Sequence, residues 1–519
     1  VAAPHQFVEI EIKLAVDDST AVPDLRQLPG VCALASTSHQ QLSAIYYDTA
    51  DLRLTREKIT LRRRTGGSDD GWHMKIPAGQ GRTELRCPLG DPHTVPQELV
   101  DAVRAIVRHH PLQPIAQVNN HRVETILADA DGRPVAEFCD DHVSARSLLP
   151  GGSSTSWREW ELELTEQVAG TDAGASLLRQ AERYLLASGA RPSASPSKLT
   201  SALGDSLGKA PLPPHLREAH LPADSPLRLL LASVRELRDA IVHGDRAVRA
   251  DEPDSVHQQR VAIRKLRSIL RTFDGLVEGD AFSNIEKELK HVAGVLGVAR
   301  DAEVVHARWL QLLDTDDSDC IDEAAATHLR EDMQRAYTLA HRDAVELCNS
   351  DAYLELLDAI DELIANPPRV REGIEGSAKI DEILARHVRK AYKKLKKRHA
   401  KVDDRYHDTS LPRTKREAYV HDVRKAAKRL RYAAAATGDP KFKRLVKACK
   451  RLQSMLGDFE DCATSREELL VLADMARRRD EDVFAYGMCF QRELRDGEKA
   501  LRGYFGAVRE VKKAAQKVL

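Results

Sequence analysis

Val8-Glu9-Ile10-Glu11-Ile12-Lys13-Leu14 alternates strictly between apolar and charged residues. Successive side chains of an extended chain point to opposite faces. Val8, Ile10, Ile12 and Leu14 therefore share one side of a strand, and Glu9, Glu11 and Lys13 the other, with neighbours about 6–7 Å apart. Trp157–Thr165 repeats the arrangement, with Glu159, Glu161 and Glu163 opposed to Trp160, Leu162 and Leu164. Arg62 and Arg64 share a face of a third expected strand, Ile59–Arg64, and Lys75 sits on a fourth, Trp72–Ile76. One such strand alone reads as a solvated outer face. Two E-x-E strands and an R-x-R strand within 200 residues read as charge gathered inside a closed sheet. Clustered carboxylates suit hard divalent cations, Mg²⁺ or Mn²⁺. Guanidinium and ammonium groups suit phosphate oxygens. The two sets together suit a metal–polyphosphate.

Further strands are expected at Thr83–Leu89 and His121–Leu127, and short helices at Gln97–Arg108 and Ala173–Ser188. Leu203–Pro226 is rich in Pro, Gly and Ser and reads as a linker. The pattern then changes to long segments of helical period. The expected organisation is a tunnel domain over 1–202, a linker over 203–224 and a helical domain over 225–515, whose halves span about 225–366 and 376–515. In the 519 residues no apolar run approaches the roughly 18 needed to span a bilayer, which argues against a membrane protein. Eight cysteines without a C-x-x-C pair argue against a zinc ribbon or thioredoxin-like centre and read as cytoplasmic free thiols.

The helical region carries an internal repeat. His257, Arg260, Arg264 and Arg267 lie at offsets 0, 3, 7 and 10, and His421, Arg424, Lys428 and Arg431 repeat those offsets. On a helix they fall within an arc of about 80°, with Leu266 and Leu430 on the far side. Arg271 continues the first face, and Lys425 accompanies the second. Each motif is followed by Leu-Gly and an aspartate: Leu296-Gly297 with Asp301, and Leu456-Gly457 with Asp461. The chain's net charge is -1, yet residues 386–450 hold 23 basic against 6 acidic residues. Like charges on one arc repel unless an anion neutralises them. Nucleic acid is the weaker partner: aromatic residues are 5% of the chain, and no helix-turn-helix or zinc-finger spacing is present.

Glu9-Ile10-Glu11-Ile12-Lys13, with Tyr46-Tyr47-Asp48-Thr49, Leu61-Arg62-Arg63-Arg64, Lys75, Arg122, the Glu159/Glu161/Glu163 strand and Ser197-Lys198, resembles the CYTH family, the triphosphate tunnel metalloenzymes. The resemblance implies an eight-stranded antiparallel β-tunnel enclosing a triphosphate. Lys13, Arg62, Arg64, Lys75, Arg122 and Lys198 would be the phosphate ligands. Glu9, Glu11, Glu159, Glu161 and Glu163 would be the metal ligands, and Glu9, Glu11 and Lys13 the catalytic set. Two departures stand out. Arg86 replaces the second acid of the family's R-x-E-x-E run, and Asn119-Asn120-His121 precedes Arg122 with little positive charge.

Val256–Arg267, Leu296–Asp301 and His421–Lys425 resemble the CHAD domain, an α-helical domain named for its histidines. This implies two pseudo-symmetric four-helix bundles binding inorganic polyphosphate. The contacts would be His257, Arg260, Arg264, Arg267, Arg271, His421, Arg424, Lys425, Lys428 and Arg431. The combined expectation is an α+β multidomain protein: a metal-dependent inorganic triphosphatase joined to a polyphosphate-binding domain, cytoplasmic and associated with polyphosphate granules. The rivals are a non-catalytic polyphosphate-targeting protein and an adenylate cyclase.

Overall fold

The computed structural model describes all residues except 1–5, 68, 79–80, 196, 223–224, 226, 315–322, 374–376 and 438, and except the side chains of 6–9, 78, 81, 229, 312, 377–381 and 436. Two compact units result, Val1–Leu216 and Arg217–Leu519.

The strands of the first unit are β1 (Gln6–Glu9), β2 (Glu11–Val16), β3 (Ala33–Asp48), β4 (Thr60–Thr65), β5 (Gly71–Ala78), β6 (Gly81–Cys87), β7 (Gln113–Ala128), β8 (Pro134–Ser147), β9 (Ser154–Leu164) and β10 (Arg191–Pro192). They form one antiparallel sheet in the order β1-β6-β5-β4-β3-β7-β8-β9-β2-β10. The N-terminal stretch is not one uninterrupted strand, because it changes partner at Ile10. β1 pairs with β6, whereas β2 pairs with β9. One stretch of chain thus joins the two ends of the sheet and closes it. Counted once, it makes eight long strands among the described residues, with β10 a two-residue addition.

The alternation decides what lies inside. Leu14, Trp160 and Leu162 point outward and bury themselves under α4 (Asp172–Ala187) with Leu177, Ala181 and Leu185. Leu61, Trp72 and Met74 point outward under α2 (Gln97–Ala102) and α3 (Arg104–Val107) with Leu99, Val103 and Val107. The usual geometry of burial is therefore inverted: these two apolar cores lie outside the sheet, and charge lies inside. α5 (Lys198–Leu203) begins at Ser197, whose hydroxyl accepts from the Thr200 N–H. Its Leu199, Ala202 and Leu203 pack with Ala44, Ala116, Val118, Val143 and Ala145. Asp48 organises the turn into α1 (Arg53–Arg56), accepting from the N–H groups of Thr49, Leu54 and Thr55 at 2.7–2.9 Å. Leu203–Leu216 includes α6 (Ser206–Lys209) and remains with the first unit; Leu203, Ser206 and His215 are buried.

Gly66 sits at φ +96°, and a Cβ there would lie 1.9 Å from the Gln41 carbonyl oxygen. Neither strain nor clash can be relieved by a rotamer change. Gly66→Ala is expected to cost about 2 kcal/mol or more of stability, read as a lower denaturation midpoint.

The second unit is helical: α7 (Leu227–Arg249), α8 (Ser255–Phe273), α9 (Ala281–Leu313), α10 (Glu323–Asn349) and α11 (Asp351–Ala365), then α12 (Ser377–Arg405), α13 (Arg413–Ala436), α14 (Lys443–Arg478), α15 (Phe484–Ala500) and α16 (Tyr504–Gln516). Each half thus has five α-helices among the described residues. Four of them, α12, α13, α14 and α16, share one core through Val388, Val423, Leu452 and Val511. The far ends of α9 and α14 join α10 and α15 in another core around Trp309, Leu329, Leu469 and Tyr486. This core joins the two halves of the repeat. Among the described residues no helix is long and apolar enough to cross a membrane.

Candidate functional site

The sheet encloses a cavity of about 520 Å³, within the range of small-molecule sites. It is lined by Lys13 of β2, Arg62 and Arg64 of β4, Lys75 of β5, Arg82 and Arg86 of β6, Arg122 of β7 and Lys198 of α5. Glu11, Asp69, Glu84, Glu124, Glu137, Glu161, Glu163 and Glu166 supply the opposite charge. Every expected phosphate ligand is therefore on the wall of this one cavity.

Three of the lining cations interlock with four carboxylates, Glu11 and Glu161 on the cavity wall and the buried Asp141 and Glu159. Lys198 Nζ lies 2.8 Å from Asp141, 2.5 Å from Glu159 and 2.8 Å from Glu161. Arg122 donates to both oxygens of Asp141 at 2.8 and 2.7 Å and to Glu161 at 2.7 Å. Lys13 Nζ is 2.7 Å from Glu161 and 3.1 Å from Glu11. Burial opposes ionisation of Glu161, but Lys13, Lys198 and Arg122 outweigh it and hold its carboxyl well below the usual range. Burial likewise opposes ionisation of Asp141, which Lys198 and Arg122 keep low. In return, acidic neighbours hold Lys13 and Lys198 above the ordinary lysine value despite their burial.

Across the sheet order the balance differs. Burial, then Arg62 and Arg122, pull Arg64 down to about 9, although its guanidinium meets Asp69. Burial would raise the Tyr46 phenol, but Arg62, Lys198 and Lys75 hold it below its ordinary value. That wall carries excess positive potential. His73 Nδ1 faces Glu84 Oε1 at 3.0 Å, and Arg86 donates to Glu84 Oε2 at 2.8 and 2.5 Å. The residue that departs from the family run thus engages the carboxylate two positions before it.

The carboxylates brought within 4.8 Å of one another are Asp141, Glu159 and Glu161. Hard oxygen donors of this kind fit Mg²⁺ or Mn²⁺, but the Lys198 ammonium lies within 2.8 Å of all three, which leaves the carboxylates that face the cavity as the donors open to an ion. Glu11 and Glu163 oppose each other across the β2–β9 register and line the cavity. The side chain of Glu9 lies outside the described residues, as does Cys320; the seven described cysteines are unpaired. Asp141 is the residue that sequence reasoning missed, since Asp140-Asp141 reads equally as a turn pair. Both belong to β8. Asp140 pairs with Arg158 at 2.8 Å, whereas Asp141 shares its face with Glu137 and Cys139. Period-two alternation from Glu137 was the available signal.

In the helical unit, α8 and α13 bring cations together. Arg260 donates to the Gly297 carbonyl at 3.0 Å and reaches Asp301 at 3.5 Å. Arg260 packs beside Gly297 as Arg424 packs beside Gly457, so the equivalent Leu-Gly elements make room for equivalent guanidinium groups. Lys428 stands among Arg264, Arg424, Arg260 and Arg431; burial and these charges push it down to about 6. Burial also lowers Arg260 and Arg264. The other expected contacts are arranged differently. Arg267 is held by Glu286 at 2.7 Å, and His421 by Glu460. Burial and Arg300 lower His257. Arg271 and Lys425 are exposed, Arg271 beside Arg429 and Lys394.

Residues 8–190 match the CYTH domain and residues 232–470 the CHAD domain. Two uncharacterized proteins from strains of Mycobacterium tuberculosis are each 39% identical over 530 aligned positions, covering 99% of this chain and 98% of theirs. Among solved structures, the CHAD domain from the plant Ricinus communis is similar at 21% identity, over 56% of this chain and 93% of its own, with a TM-score of 0.43. A Hippeastrum protein, named as a candidate adenylyl cyclase with a dominant triphosphatase activity, is similar at 16% identity over 38% of this chain and 95% of its own, with a TM-score of 0.22. With both domains matched in order and a relative aligned along nearly its whole length, the chain belongs to the CYTH–CHAD family, a triphosphate tunnel metalloenzyme domain followed by a CHAD domain.

Proposed function

We propose that the first unit is an inorganic triphosphatase, converting tripolyphosphate to pyrophosphate and phosphate, and that the second binds long-chain polyphosphate. The observation that carries this reading is the interior of the sheet, where Lys13, Arg62, Arg64, Lys75, Arg122 and Lys198 converge on one cavity. A phosphoanhydride is cleaved chiefly by positioning and charge neutralisation. Arg62, Arg64 and Lys75 would bind and orient the phosphates from the wall of excess positive potential. Arg122, Lys198 and Lys13, preset by Asp141, Glu159 and Glu161, would stabilise charge developing on the transferred and leaving groups. Glu11, Glu161 and Glu163, which line the cavity, would hold the divalent ion, with Glu9 beside them from its strand position, while Asp141 and Glu159 serve as counterions of Lys198. When bound, the ion supplies charge neutralisation and an activated water. The catalytic set in this reading is Glu9, Glu11 and Lys13. A cytoplasmic setting at polyphosphate granules goes with it.

Arg86 on Glu84 favours one second reading, a tunnel that binds without turnover, because it occupies a carboxylate otherwise available inside. Phosphate release separates the two. The full chain is expected to hydrolyse tripolyphosphate with Mg²⁺ or Mn²⁺, to stop on chelation, and to lose about 100-fold or more of its rate in Glu11→Ala. Tight binding without phosphate release under either metal selects the second reading.

A further inference from the structure

We propose that the helical unit takes up one proton when it binds polyphosphate near neutral pH, and that Lys428 accepts it. This rests on the polyphosphate-binding reading and adds its regulation by pH.

Lys428 is surrounded by Arg424 and Arg431 of its own helix and by Arg260 and Arg264 of α8. Among the described residues no carboxylate forms an ion pair with it. The neighbouring acids are engaged elsewhere or stand at the margin. Asp301 of α9 reaches Arg260, and Asp461 of α14 stands near Arg424. Glu460 of α14 holds His421, and Asp422 pairs with Arg398 of α12 at 2.8 Å. The other facing groups are Tyr432 beside Arg264, Arg300 of α9 beside Arg260, and Lys394 of α12 beside Arg429. The buried Nε–H groups of Arg260 and Arg264 have no hydrogen-bond partner.

Guanidinium groups keep their protons at any physiological pH, whereas a buried lysine amine readily gives its own up. The crowding is therefore relieved at Lys428, which burial and four arginines bring to about 6. A polyphosphate laid along these arginines reverses the local potential. The amine then takes one proton from solvent, –NH₂ becoming –NH₃⁺, and no other bond changes. Anion binding raises the lysine value, so the bound state holds more protons than the free state. Affinity consequently rises as pH falls through the window between the free and bound values.

The test is calorimetric titration of the full chain with long-chain sodium polyphosphate at pH 8, in buffers of low and high ionisation enthalpy. The difference in heat is expected to report uptake close to one proton. Wild-type affinity is expected to fall by about tenfold per pH unit from pH 7 to 8.5, a measurement that needs no variant. Lys428→Arg, whose cation needs no proton, is expected to bind more tightly than wild type at pH 8 and to lose the uptake. Tight wild-type binding without buffer or pH dependence overturns the proposal and leaves the binding reading intact. Uptake that persists in Lys428→Arg overturns the assignment to Lys428. No wild-type binding at all rejects the polyphosphate reading itself.

Discussion

Lys198→Ala is expected to abolish tripolyphosphate hydrolysis and to destabilise the first unit by about 3–5 kcal/mol, the scale for removing one partner of a buried ion pair. Lys198 is the shared counterion of Asp141, Glu159 and Glu161, which all lie within 2.8 Å of its ammonium. Without it, three buried carboxylates face one another with only Arg122 and Lys13 to compensate. The pH dependence of this defect has a definite sign. In the wild type, Asp141 and Glu161 have depressed values, so their contribution is present above the unfolded carboxylate range and fades as pH falls through the folded values. In Lys198→Ala the folded values rise. The variant is therefore weakest at neutral pH and approaches the wild type as the carboxylates protonate. Thermal melts of both proteins from pH 7 to pH 4 check this, and a stability difference that widens toward acid contradicts it.

Arg264→Glu is expected to do the reverse in the helical unit, raising stability while removing function. It sets a carboxylate among Lys428, Arg260 and Arg424 and relieves the crowding of like charges. A gain of about 1–2 kcal/mol in unfolding free energy is expected. Polyphosphate affinity is expected to drop about 100-fold at low salt, with a shallower salt dependence, because fewer counterions are released. Unfolding curves and salt-dependent binding measure the two effects separately. A variant that is less stable and binds normally contradicts the account of this surface.

Local alternation was enough to place charge and apolar groups on opposite faces of β2 and β9, because a strand's period of two is written residue by residue. It did not reveal the partner switch at Ile10, since closure depends on pairing with β6, far along the chain. Asp141 escaped because an Asp-Asp pair has turn-like composition; once the strand is known to run through it, alternation from Glu137 and the register against Glu159 fix its face. Helical spacing put His257, Arg260, Arg264 and Arg267 on one face. It could not show that Arg267 turns to Glu286 or that Lys428 stands half-buried among arginines, because both follow from how α8 meets its neighbours. The core shared by α9, α10, α14 and α15 was hidden for the same reason.

The most direct test is a crystal structure of the full chain with tripolyphosphate and Mn²⁺, located by its anomalous signal. The account predicts a phosphate chain inside the sheet, contacted by Arg62, Arg64 and Lys75 on one wall and by Lys13, Arg122 and Lys198 on the other, with the metal at Glu11, Glu161 or their carboxylate neighbours. Phosphate density confined to the outer surface, with the interior ion pairs intact and metal-free, contradicts it.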